Sequence, residues 1–160
     1  MSDITDEIKI RDFTMEDSPL VEAFFKQMGA ETRSFFDRGG GNRKNAMKYF
    51  DKTAVNTVYF LAELSGEMVG YIFLWDMDKC IPWFGIAVHE NLKGRGLGKK
   101  LMHHAIEYAK KHNKGGILLT THPSNIRAQV LYESVGFERL GVHGSSGETL
   151  YLIRFDSNTH

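Results

Sequence analysis

The chain has 160 residues, 42% of them apolar and 25% charged, enough for one buried core and ordinary for a globular protein. Its 20 basic and 20 acidic side chains cancel, so no basic surface invites nucleic acid or an anionic membrane. The lone Cys80 excludes an internal disulfide and no stretch has the length and apolarity of a membrane span, so we expect one cytoplasmic domain over residues 1–160.

Residues 8–13 alternate as a first strand. Residues 16–28 carry Leu20, Val21, Phe24, Phe25 and Met28 at helical spacing. A further helical turn over 31–36 should stop at Gly39-Gly40-Gly41, and residues 42–51 read as a short helix with Ala46, Met47 and Phe50 inward. Two apolar, aromatic-rich runs, 57–64 and 68–76, flank Ser65-Gly66-Glu67 and predict a hairpin. Residues 81–88 form another strand that leads into a glycine-rich turn. The helix after the turn is the clearest element, with Leu97, Leu101, Met102, Ala105, Ile106 and Ala109 on one face. A buried strand over 117–121 follows. Pro123-Ser124 should start another helix, with Ala128, Leu131 and Val135 inward and Gly136 as its C-terminal cap. Residues 137–142 and 149–155 close the order as a strand pair around the 143–148 loop. The result is an α/β fold, a mixed and mostly antiparallel twisted sheet with helices on both faces.

The chemistry concentrates at Lys93-Gly94-Arg95-Gly96-Leu97-Gly98. A helix that begins there aims unpaired backbone N–H groups and the positive end of its dipole at the turn, and glycine keeps the approach clear. Lys93, Arg95, Lys99 and Lys100 are expected to surround it with positive charge, as for a pyrophosphate. No Gly-Lys-Ser/Thr follows, which excludes the Walker pattern. Gly94-x-Gly96-x-Gly98 is one residue too short for the dinucleotide fingerprint. Alone, the loop reads first as a tight turn and only second as a phosphate site.

The second half of the chain adds a partner motif. Lys93 to Gly98 resembles the Gln/Arg-x-x-Gly-x-Gly/Ala loop of the GNAT superfamily of N-acetyltransferases, with Lys in place of Gln or Arg. Asn125-Ile126-Arg127-Ala128-Gln129-Val130-Leu131-Tyr132-Glu133-Ser134-Val135-Gly136-Phe137 is similar to that family's Asn-x-x-Ala-x-x-x-Tyr-x-x-x-Gly-Phe. Together with their flanking strands, the two motifs cover roughly residues 81–142.

The resemblance implies acetyl-CoA as co-substrate, with no metal, and a primary amine on a small molecule or peptide N-terminus as acceptor. Backbone groups of Ile86, Ala87 and Val88 would pair with pantetheine amides, and amides of Gly94, Arg95, Gly96, Leu97, Gly98 and Lys99 would hold the pyrophosphate. Asn125 reads as a helix cap and, by resemblance, a cofactor contact. Tyr132 shares the helix's inner face with Ala128, so it is either core or, by the motif, the general acid that protonates the departing thiolate. The family's glutamate position, five residues before the asparagine, holds Thr120, which cannot act as a base. His122 is a candidate general base and equally a helix-entry residue before Pro123. Glu63, His89 and Glu90 are weaker candidates, and a relay through ordered water with no single base stays open.

The acceptor groove should lie between residues 28–50 and the 143–148 loop, which offer Glu31, Arg33, Asp37, Arg38, Arg43, His143 and Glu148. A non-catalytic acyl-CoA-binding module stands beside the enzyme reading, favoured by Thr120 and opposed by Tyr132. Neither nucleic acid nor membrane is expected as a partner. The oligomeric state, a homodimer included, stays open, and Trp75, Trp83 and Phe84 could line the groove or face a partner, although burial is the expected fate of each.

Overall fold

The computed structural model describes residues 4–28, 43–92 and 94–155. Within them seven strands form one sheet in the order β1-β2-β3-β4-β5-β7-β6. β1 (Lys9–Asp12), β2 (Val58–Leu64), β3 (Glu67–Trp75) and β4 (Trp83–Val88) run antiparallel in sequence. β5 (Gly116–Thr121) joins β4 in parallel, and β7 (Thr149–Arg154) lies between β5 and β6 (Glu138–Val142), antiparallel to both. The hairpin falls at Ser65-Gly66, both at positive φ, the backbone that a two-residue connection between twisted strands requires.

Among the described residues four helices cover the sheet. α1 (Ser18–Lys26) and α2 (Arg43–Phe50) lie on one face and α3 (Leu97–Lys111) and α4 (Ile126–Val135) on the other, each face with its own core. α1 starts later than its apolar stripe suggests because residues 15–17 form a 3-10 turn and Pro19 sits in the first helical turn, where its missing N–H costs nothing. The expected turn over 31–36 lies outside the described residues. All six apolar positions expected inward on α3 are buried. α4 begins at Ile126 rather than at Pro123-Ser124, with Asn125 as its cap, and Gly136 ends it at φ 115°. No described helix is long and apolar enough to cross a membrane.

Beneath β1, Arg11 grips buried Asp17 through two 2.8 Å hydrogen bonds and reaches Glu63 at 3.2 Å. The guanidinium holds the Asp17 carboxyl below its ordinary range, so this contact stabilises the fold above the ordinary carboxylate pKa and is lost as pH falls. At Gly116 an added Cβ would meet the Ile153 carbonyl oxygen at 2.3 Å. Backbone in a central strand cannot step aside. Gly116→Ala should therefore cost about 2–3 kcal/mol and lower the melting temperature by roughly 5–10 °C, read by thermal denaturation.

Candidate active site

The sheet opens between β4 and β5. The two strands are in register only at Trp83 and Leu118. Beyond that pair, β4 continues with β3, ending at Val88 opposite Gly70, while β5 turns to β7. The edges of Ile86, Ala87 and Val88 away from β3 therefore face a fork with no described strand in it. Their side chains serve the core, Ile86 and Val88 against the α3 side and Ala87, 1% exposed, toward α1. The side chains are thus committed to the two cores, and the backbone edge away from β3 is what this strand presents to the fork.

The fork leads to the glycine turn. Gly94 and Gly96 hold φ of 79° and 91°, left-handed values that glycine adopts without strain. The Gly96 carbonyl accepts from Lys100 N–H at 3.1 Å, closing the first turn of α3. The amides of Leu97, Gly98 and Lys99 precede that bond and have no intrahelical acceptor. At Gly98 a Cβ would stand 2.9 Å from Leu131 Cδ2, so this glycine lets α4 approach α3. Arg95 and Lys99 are exposed beside the turn. Arg127, which sequence reading passed over, places Nη1 4.0 Å from where a Gly94 Cβ would be. Lys100 does not join them. Its ammonium donates to the Ile8 carbonyl at 2.7 Å. Lys93 lies outside the described residues. A left-handed glycine turn, orphan amides and three basic side chains fit a pyrophosphate.

α4 presents the second motif. Asn125 Oδ1 accepts from Ala128 N–H at 3.3 Å, the capping role. Tyr132, 5% exposed, packs its ring against Phe137 and Tyr151 at 6.1 and 5.8 Å. Burial pushes its phenol well above the ordinary value, with the negative charge of Glu148 adding to it. His122 Nδ1 accepts from the Ser124 amide at 3.1 Å. That bond requires the ring proton on Nε2, so neutral His122 has its one acceptor lone pair occupied by the helix entry. Among the weaker candidates, Glu63 is paired with Arg11, and His89 contacts Gln27 Oε1 at 3.3 Å and the Asn91 amide at 3.2 Å. The Glu90 side chain lies outside what is described.

On the opposite face of the fork an aromatic row runs from Tyr71 through Phe73 and Trp75 to Trp83, with successive ring centroids 5.5, 5.1 and 6.1 Å apart. His143, just past β6, meets Trp83 edge-on at 5.7 Å. Next to this row, a cavity of about 430 Å³ opens among Lys48, Ala54, Tyr59, Phe73, Trp75 and Asp76. Of the groove residues expected from sequence, Arg43 pairs with Glu22 on the helix surface, while Glu148 is buried and bonded to Thr120. Glu31, Arg33, Asp37 and Arg38 lie outside the described residues.

Comparison with known proteins gives a match to the Acetyltransferase (GNAT) family over residues 19–137. The chain belongs to the GNAT family. Among GNAT relatives, it is 32% identical to N-alpha-acetyltransferase RimI of Mycobacterium tuberculosis over 108 residues, 62% of this chain and 66% of that protein. It is 29% identical to N-acetylaspartate synthetase of Rattus norvegicus over 85 residues, 52% of this chain and 28% of that one. The chain spans about a third or less of the length of this synthetase and of a similar Mycobacterium leprae protein. The PaiA N-acetyltransferase of Thermoplasma acidophilum, solved in complex with coenzyme A, superposes with a TM-score of 0.73 at 16% identity, covering 97% of this chain and 100% of that one. At that identity the likeness is one of fold. The GNAT match includes the fork, the glycine turn, Asn125 and Tyr132. It ends before β6, and Glu148 is outside it.

Proposed function

We propose that this chain is an N-acetyltransferase that moves the acetyl group of acetyl-CoA to a primary amine by direct attack, with Tyr132 as general acid. The observation that carries this reading is the fork. It is a strand edge left unpaired beyond Trp83 and Leu118, running straight into orphan amides at the start of α3. A pantetheine chain carries amides of its own and fits such an edge, and the pyrophosphate of coenzyme A fits the turn with Arg95, Lys99 and Arg127. Asn125 caps α4 next to it. When bound, the co-substrate supplies an activated acyl group, and the protein's part is to orient the amine and manage two protons.

Tyr132 suits the acid's role in one respect and is handicapped in another. Burial keeps the phenol protonated at every working pH, so the donor is always loaded. The same burial makes transfer to a thiolate uphill, so the proton must move as the C–S bond breaks. RimI, the synthetase and PaiA bear names of N-acetyltransferases or of an N-acetylated product, which supports an amine acceptor. The aromatic row and the adjoining cavity give this acceptor a compact, partly apolar site. A cytoplasmic location belongs to the reading, since a reducing compartment suits a chain with one exposed cysteine and a thioester co-substrate.

The test is thiol release from acetyl-CoA with spermidine, kanamycin, glucosamine, aspartate or a tripeptide amide beginning with alanine. At least one should raise release about tenfold or more over the basal rate. Acetyl-CoA binding with no stimulation by any of them would favour a non-catalytic acyl-CoA-binding module.

A further inference from the structure

Two carboxylates are buried among the described residues, and only one is neutralised. Asp17 has Arg11. Glu148, 5% exposed, accepts a hydrogen bond from Thr120 Oγ1 at 3.0 Å and forms no ion pair with any described residue. A buried carboxylate held by one neutral donor keeps most of its acceptor capacity and pays a desolvation cost that a cation would relieve.

Its position says which cation. Trp83 and Leu118 pair across β4 and β5, so their side chains share a face. Two residues along β5, Thr120 is on that face too, just inside the fork, opposite Leu150 of β7. Glu148 is two residues before Leu150 and reaches the same spot from the loop side. The surface there is the one carrying Trp75, Trp83 and His143. Tyr132 lies across the fork on the other face.

We propose that Glu148 receives the acceptor's ammonium group and takes its proton, with Thr120 as the residue that positions the carboxylate. The inference rests on the acetyltransferase reading and adds to it both the proton acceptor and a preference for amines that are cationic in solution. The protons balance. R–NH3+ gives one proton to Glu148. The freed nitrogen lone pair forms the C–N bond at the thioester carbon while the carbonyl π pair moves to oxygen. On collapse the C–S bond breaks, the pair leaves with sulfur, and sulfur takes the Tyr132 proton. The nitrogen's second proton returns to the tyrosinate through water, and the Glu148 proton goes to solvent. The sum is amide, free thiol and one proton.

The two halves are also linked. Glu148 as an anion helps to hold the proton on Tyr132. Once Glu148 is neutralised by the amine's proton, that hold weakens and Tyr132 becomes a readier donor at the moment the thiolate departs.

Glu148→Gln keeps the shape and can still accept from Thr120, so it isolates the charge. Spermidine and the alanine tripeptide amide, each titrated into the CoA-saturated protein by calorimetry, serve as probes. We expect at least one to bind the wild type and to lose tenfold or more in affinity in the variant. Its kcat/KM should fall a hundredfold or more, and CoA affinity should stay within twofold. The exchange Thr120→Glu with Glu148→Thr returns the carboxylate to the same spot from β5 and should recover at least tenfold of the loss, which no purely structural role would allow. No difference in amine binding between wild type and variant, including no binding by either, overturns the assignment. Failure of the wild type to bind CoA would instead overturn the acetyltransferase reading and take this one with it.

Discussion

Gly94→Asp should abolish the thermal stabilisation that acetyl-CoA gives the wild-type protein. At a ligand concentration of 100 times Kd, mass action stabilises the native state by about 2.7 kcal/mol, or roughly 5–10 °C for a chain of this size. The aspartate would put a carboxylate where phosphate oxygens are expected, and the repulsion is local and weakly screened. Gly94 is the better position for this test than Gly98. A side chain at Gly98 meets Leu131 at 2.9 Å, so a loss of binding there would be confounded with damage to the contact between α3 and α4. At Gly94 the nearest atom to an added Cβ is Arg127 Nη1 at 4.0 Å, and aspartate tolerates left-handed backbone better than most residues. The unliganded melting temperature should thus fall by only a few degrees. An undiminished acetyl-CoA shift in this variant would remove the glycine turn from the binding site.

Tyr132→Phe should lower turnover by about ten- to a hundredfold or more, equivalent to roughly 1.4–2.7 kcal/mol of barrier, while acetyl-CoA affinity stays near wild type. The ring contacts with Phe137 and Tyr151 involve faces and edges that phenylalanine keeps, so the core should hold. Because the phenol is always protonated, its removal should scale the pH–rate curve down without removing a limb from it. Wild-type turnover, measured under conditions where the chemical step limits the rate, would reduce Tyr132 to a packing residue.

What the sequence discloses here depends on whether the governing signal is local. The apolar face of α3, the hairpin at Ser65-Gly66 and the cap at Gly136 are written in neighbouring residues, and all three are where the pattern puts them. The entry of α4 is displaced because the 122–125 turn consumes Pro123 and Ser124 before the helix begins, a choice made by the bonds that His122 accepts from the Ser124 and Asn125 amides. The true partners of Lys100 and of Thr120 are invisible in a linear reading. Lys100 reaches Ile8 across 92 positions, and Thr120 meets Glu148 across 28, in each case because the sheet order folds distant segments together. Thr120 in place of a glutamate reads along the chain as a loss. In three dimensions the carboxylate is present, delivered by a different strand end. Arg127 was legible in part, since it stands in the first turn of a helix whose start faces the glycine turn.

The aromatic row has an optical consequence. Both tryptophans of the chain, Trp75 and Trp83, sit in that one stack, half-buried, on the face proposed to take the acceptor and behind the sheet from α3 and α4. Every photon of indole emission therefore originates beside the proposed acceptor groove. Quenching by an arriving amine, or a shift of colour as water leaves the stack, reports on that groove directly, without any label attached to the protein.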